Sequence, residues 1–274
     1  WAPDLFTMHE MPDLFQIGDW WYHIVTEYSH RSKMVYRMSK SLSGPWLAPK
    51  DDAFDGRAYY AGRTFALNGQ RILFGWVPTK EGGDDHSQFQ WGGTFVAHEV
   101  YQRPDGTLGV RPPQTVWDAF APPQQVEDFS IQAGDGRREQ VLCREAGEIF
   151  RLEFDAVFPE GLQSFGVRFY ENEDTGESQQ FLFHADEGRL LFEPSPNWPW
   201  PDNQNLGLER PLALEPGKRY SVRMIVDDTI ATLYVDGVAL NTRVYRKFGG
   251  TVSVFATGGT LRVSGCQVAK GLRG

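Results

Sequence analysis

Apolar and polar residues alternate along this chain in short runs broken by turn residues, and no stretch sustains a helical period. Trp20 to Thr26, Lys33 to Ser39, Arg63 to Leu67, Arg71 to Val77 and Gly93 to Gln102 read as strands rich in aromatic and β-branched residues. Asn68-Gly69 between two of them is the strongest short hairpin signal, and Pro104-Asp105-Gly106 closes the last. Further on the alternation is cleaner. Phe150, Leu152, Phe154, Ala156 and Phe158 are interleaved with Arg151, Glu153 and Asp155. Phe165, Val167 and Phe169 share one face, and Tyr220, Val222, Met224 and Val226 alternate with Arg219, Ser221 and Arg223. That is the half-buried strand signature of a two-sheet sandwich, with hairpin turns at Asp227-Asp228 and Asp236-Gly237. The predicted organisation is all-β. Residues 1–113 form repeated antiparallel strands of the kind that build propeller blades, 114–130 a Pro- and Ala-rich linker with Trp117 and Phe120 packing between domains, and 131–274 the sandwich.

Composition narrows the partners. A formal net charge of −9 argues against nucleic acid or an anionic membrane, and no apolar run is long enough to span a bilayer. The nine tryptophans suit sugar binding, because sugar rings stack on aromatic faces, and suit a β-rich core equally well. No phosphate loop, nucleophile elbow or dinucleotide fingerprint is present, so no cofactor is expected. The six histidines lack metal-ligand spacing and read as structural or solvent-facing, with no metal site expected. Glu81 to His86 reads as a mobile rim loop rather than a cation site. Cys143 and Cys266 either pair or stay as two thiols. Trp198-Pro199-Trp200-Pro201 is a stiff aromatic loop, either a sugar platform or an apolar plug.

The candidate chemistry centres on Met8-His9-Glu10-Met11-Pro12-Asp13-Leu14-Phe15. Pro12 removes a backbone donor and keeps the segment out of helix, which fixes the direction of Glu10 at the mouth of the following strand. Apolar neighbours on both sides of a glutamate are the setting a general acid needs. An ordinary surface-loop glutamate fits the same residues.

The stretch, followed by Gly18-Asp19-Trp20-Trp21-Tyr22, resembles the Glu-Cys-Pro-Asp-Leu-Phe motif of glycoside hydrolase family 32, the invertases, fructanases and fructosyltransferases. Collinear with it, Phe54 to Phe65 resembles the family's Asp-Phe-Tyr-Ala segment, and Arg71-Ile72-Leu73-Phe74-Gly75-Trp76 its Arg-Ile-Leu-Trp-Gly-Trp strand. Trp91-Gly92-Gly93 and Arg103 to Pro113 resemble the end of its propeller, and Thr242-Arg243-Val244-Tyr245 its Thr-Ser-Arg-Val-Tyr element. The resemblance implies the later blades of a five-bladed propeller followed by the sandwich. It also implies a retaining hydrolase of β-fructofuranosides, sucrose or fructan, with Glu10 as catalytic acid/base. The implied substrate-binding residues are His9, Asp13, Asp55, Arg57, Tyr60, Trp76 and Trp91.

Three departures stand out. Met11 replaces the family's cysteine. Ala58 replaces the aspartate before Phe-Tyr-Ala, so recognition beyond the first sugar would fall to Asp55 or Arg57. The family's Asn-Asp-Pro-Asn and Arg-Asp-Pro motifs, which carry the nucleophile and a stabilising aspartate, do not occur in these 274 residues, and Asp4 reads as a loop residue. With Trp1 in first place, the expectation is that an upstream segment or a second chain completes the propeller. The alternatives are a non-catalytic carbohydrate-binding remnant and a fructosyltransferase.

Overall fold

The computed structural model describes residues 8–29, 32–57, 59–197 and 208–272. Ala58, Asp4, His30 and the Trp198 to Pro201 loop lie outside them. Strands β1 (Met8–Ile17), β2 (Trp20–Tyr28) and β3 (Met34–Ser39) form one antiparallel meander. Strands β4 (Tyr60–Leu67), β5 (Gln70–Lys80), β6 (Phe89–Gln102) and β7 (Leu108–Arg111) form a second. The Asn68-Gly69 turn has positive φ at both residues, as a tight hairpin matched to strand twist requires. The two meanders share a core in which Tyr22, Tyr36, Phe54 and Tyr59 are buried. Each tyrosine there needs a partner for its hydroxyl. Tyr22 donates to the Gly106 carbonyl at 2.6 Å, and Tyr36 accepts the Leu108 amide at 2.9 Å.

A one-turn helix, α1 (Gln114–Trp117), leads into the third sheet. Trp117 is buried beneath the Arg151 and Arg223 guanidinium groups, 4.6 and 5.2 Å from its ring. Phe120 forms a bridge with Gly271. The strands that follow are β8 (Gln124–Gln125), β9 (Phe129–Cys143), β10 (Ile149–Val157), β11 (Ser164–Glu171), β12 (Ser178–His184), β13 (Arg189–Ser195), β14 (Glu209–Pro211), β15 (Tyr220–Asp227), β16 (Ile230–Val235), β17 (Val238–Arg243) and β18 (Thr251–Lys270). The order is β14-β13-β12-β11-β18-β10-β15-β16-β17, so β18 joins the two layers of a sandwich. Its first part pairs with β11, its second with β10, and β9 follows it along most of its length. Apolar faces of the two layers meet where Phe158, just after β10, packs on Phe165 of β11 at 5.9 Å, and within its own layer Phe165 stacks on Phe183 at 4.5 Å. Both cysteines are free thiols, and burial pushes Cys266 up to about 12. Among the described residues no helix is long and apolar enough to cross a membrane.

The blades and the sandwich meet through buried polar groups centred on β17, all of whose residues are buried. Arg243 donates to the Val77 and Pro78 carbonyls at 2.8 and 3.0 Å and to Thr94 Oγ1 at 2.7 Å. Arg210, 1% exposed, donates to Asp51, to the Ala53 carbonyl and to the Ala239 carbonyl, all within 2.9 Å. Asp55 accepts the amide and side-chain N–H groups of Asn241, each at 2.8 Å, and lies 3.0 Å from His98 Nε2. His98 in turn faces Tyr234 at 2.9 Å and packs at a tilt against Tyr59, ring centroids 4.7 Å apart.

Asp55, expected from sequence among the substrate-binding residues, is thus placed at the join of blades and sandwich. Its carboxylate is sealed in the seam and spends its acceptors on the protein. The Glu81 to His86 loop also differs from the expected mobile rim. The Asp85 carboxylate accepts the Tyr245 and Arg246 amides at 2.7 and 3.0 Å, which pins the loop to the sandwich. The Asp55→Ala substitution leaves Asn241 and His98 without their buried partner. It is expected to cost about 3 kcal/mol, the scale for breaking a buried charged network, read as a lower unfolding midpoint in denaturant.

Candidate active site

The site arises where two strands of neighbouring blades break register in the same way. Between Glu10 and Asp13, β1 carries one residue more than its partner β2, and Met11 sits at φ 51°. Between Tyr60 and Arg63, β4 carries one residue more than β5, and Ala61 sits at φ 53°. Non-glycine residues avoid this region, and such bulges re-aim side chains, often beside functional sites. β1 is an edge strand of its sheet, so a proline in the bulge loses no ladder bond that the fold needs. At the second bulge a Cβ on Gly62 would lie 2.2 Å from Met34 Sδ, so a side chain there would require the buried Met34 to move. The residue before each bulge turns toward the other, and the Tyr60 hydroxyl donates to Glu10 Oε2 at 2.6 Å.

Tyr60 belongs to an aromatic cluster. Its ring lies 5.3 Å from Trp76 and 5.4 Å from Trp91, and the two indoles meet edge to face at 5.5 Å. Trp76 stands directly across from Tyr60 in the ladder. Trp91 is placed by a third irregularity: Pro78 pairs with Gly93 but Lys80 with Phe89, so Gln90, Trp91 and Gly92 bow out of β6. Gly93 is obligatory there, because a Cβ would fall 1.9 Å from the Val77 carbonyl oxygen. Trp91 is 72% exposed, which leaves an indole face open to a ligand.

These side chains, with Tyr28, Ser32, Arg57, Pro78, Gln88, Phe89 and Gln90, line a cleft of about 240 Å³. Glu10 is half-buried and touches this cleft through the Tyr60 hydroxyl. Of the residues expected from sequence, the structure gathers Arg57, Tyr60, Trp76 and Trp91 in one cleft, which Glu10 meets through the Tyr60 hydroxyl. Three others lie elsewhere. Asp13 accepts the Thr64 amide at 2.8 Å and the Thr64 hydroxyl at 2.5 Å, tying β1 to β4. His9 is half-buried across from Glu27, and alternation along the strand turns it away from Glu10. Burial, then the nearby Arg37 charge, lowers the His9 pKa. Asp55 is in the seam described above. The expected apolar surround of Glu10 is thinner than its neighbours suggest: Met8, Met11 and Leu14 are exposed and Phe15 alone is buried. Tyr28, Ser32, Pro78 and Gln88 to Gln90 were not expected, although Gly92-Gly93 after Trp91 signals a close backbone approach.

Among the described residues, no carboxylate lines the cleft. His184, Asp186 and Glu187 bring three possible ligand atoms within 4.8 Å of one another in a distant turn, where Glu187 is held by Arg189.

No protein-family model matches the chain. It is 23% identical over 256 residues to a sucrose-6-phosphate hydrolase of Escherichia coli, covering 87% of this chain and 50% of that protein. The fold matches fructan 1-exohydrolase IIa from Cichorium intybus with a TM-score of 0.73 at 14% identity, covering 98% of this chain and 62% of the other. It matches a glycoside hydrolase family 32 structure from Bifidobacterium adolescentis with a TM-score of 0.65 at 16% identity, covering 96% and 41%. The chain thus has the propeller-and-sandwich fold of these enzymes and spans about half the length of the curated relative it matches.

Burial, then the adjacent Glu10 carboxylate, raises the Tyr60 hydroxyl above the ordinary tyrosine value. It remains a proton donor to Glu10 through neutral and mildly alkaline pH. Near-ultraviolet titration is expected to show equal tyrosinate formation in wild type and Tyr60→Phe up to about pH 10.5, just above the free tyrosine pKa. A smaller signal in the variant would mean that Tyr60 ionises normally.

Proposed function

We propose that this chain is the later half of a retaining glycosidase acting on β-fructofuranosides such as sucrose or a fructan, with Glu10 as its general acid/base. The observation that carries the reading is the hydrogen bond from Tyr60 to Glu10 at the edge of an aromatic cleft. In the first step Glu10 gives its proton to the leaving oxygen while a second carboxylate attacks the anomeric carbon. In the second step Glu10 takes a proton from the incoming water, which releases the sugar. The Tyr60 hydroxyl holds Oε2 and leaves the other oxygen to do this work. Trp76 and Trp91 offer stacking faces to the sugar, and Arg57 offers hydrogen-bond donors at the cleft. We assign residues 1–113 to the propeller, 114–130 to the linker and 131–274 to the sandwich.

Retaining enzymes hold their two carboxyl groups about 5–5.5 Å apart. We assign the nucleophile to a further propeller segment, in the same polypeptide or in a second chain. The sheet face opposite the shared core supports this: Phe65, Leu67 and Phe95 are exposed on it, and Phe95 stacks on Phe74 at 5.4 Å. Apolar rings in such an array are what a neighbouring blade covers. A second reading, a carbohydrate-binding chain without turnover, is favoured by the absence of any carboxylate among the described cleft residues.

In the complete protein, Glu10→Gln is expected to lower kcat for sucrose or fructan hydrolysis by at least about a hundredfold, the lower range for general acid–base catalysis. Its circular dichroism and unfolding midpoint should stay at wild-type values. Near-normal turnover by that variant removes Glu10 from the mechanism. Residues 1–274 expressed alone are expected to release no fructose from sucrose, inulin or levan. Activity of that purified chain would place the second carboxylate within it.

A further inference from the structure

The β5–β6 hairpin forms one wall of the cleft, contributing Pro78, Gln88, Phe89, Gln90 and Trp91. Each part of this wall is fastened to the sandwich. At its base, Arg243 binds the Val77 and Pro78 carbonyls and Thr94. Midway, the Lys80 amide donates to the Tyr245 hydroxyl at 3.0 Å. At the tip, the Asp85 carboxylate spans the Tyr245 and Arg246 amides, and Gln179 Nε2 joins it at 3.4 Å while donating to the Arg246 carbonyl at 3.0 Å. The Lys80 ammonium closes the loop from within, donating to the Asp85 carbonyl at 2.7 Å.

We infer that Asp85, Arg243 and Tyr245 are positioning residues: through them the sandwich holds the cleft wall, and with it Trp91, at the spacing substrate binding needs. The inference rests on the proposed glycosidase reading for its kinetic arm only. A carboxylate that accepts two backbone amides fixes its loop in two directions, as a charge-assisted pair does. The Gln90 to Gly92 bow has few ladder bonds of its own, so its position follows the ends of the hairpin. A displacement of about 1 Å in a positioning group is enough to cost up to about a hundredfold. The same clamp gives a physical task to Arg243 and Tyr245, which lie far along the chain from the cleft.

The test uses the complete protein with sucrose as the kinetic probe. Asp85→Ala and Tyr245→Phe are compared with wild type by steady-state kinetics, and by amide hydrogen exchange of the peptide covering residues 86–93. Asp85→Ala is expected to raise KM about tenfold with kcat within about twofold, and to speed exchange across 86–93 while the sandwich core keeps its protection. Tyr245→Phe should shift both readouts the same way by a smaller factor. Asp85→Glu, which keeps the carboxylate, should recover part of the loss. Unchanged exchange and unchanged KM in Asp85→Ala overturn the inference, as does a kcat loss with KM unmoved. Faster exchange in a protein whose wild type does not turn over sucrose would sustain the clamp and remove the sucrose reading.

Discussion

A polar group taken out of water must find a partner or leave the fold short by the cost of its desolvation. That constraint governs the join between blades and sandwich. Asp55, Arg210 and Arg243 are buried at it, and each is answered by carbonyls, amides or a side chain from the opposite unit. An apolar join tolerates sliding, because dispersion and burial have no strong direction. A guanidinium between two carbonyls does not. The relative placement of the units is therefore set by hydrogen-bond geometry, and everything that lines the cleft on the β5–β6 side inherits it.

Against that rigid frame the site is built from irregularities. Met11 and Ala61 both occupy the left-handed region without being glycine, at a cost of roughly 1–2 kcal/mol each. The surrounding ladders over-determine both positions. Phe15 and Asp13 secure β1 beyond its bulge, through burial and through Thr64. The return on this strain is direction: two side chains from different blades meet at hydrogen-bond distance, which neither regular strand would allow.

The strands were legible because their alternation is local. Trp20 to Thr26, Phe150 to Phe158 and the Asn68-Gly69 turn all fold as their own residues dictate. Glu10, Tyr60, Trp76 and Trp91 could be gathered from sequence only by their order along the chain, and the fold brings Tyr60, Trp76 and Trp91 together, with Tyr60 joining the cluster to Glu10. The placement of Asp55 in the seam was not legible, because nothing within its own segment reveals Asn241, its partner there. The Glu81 to His86 loop looked free for the same reason: Asp85 is anchored by backbone amides, and any residue carries one. The bulges were half visible, since Pro12 announced an interruption, whereas Ala61-Gly62 looks like ordinary strand.

The long strand β18 has a consequence for the order of events during synthesis. Within these 274 residues it is made after β9, β10 and β11, all of which pair with it, so neither layer of the sandwich closes before β18 leaves the ribosome. Trp91 emerges roughly 8–30 seconds ahead of Arg243 at ~5–20 residues per second, and further still ahead of β18. During that interval the hairpin bearing the cleft wall has no anchor. The cleft is then among the later features of these 274 residues to mature, and a nascent chain stalled short of β18 would carry blades without a shaped cleft.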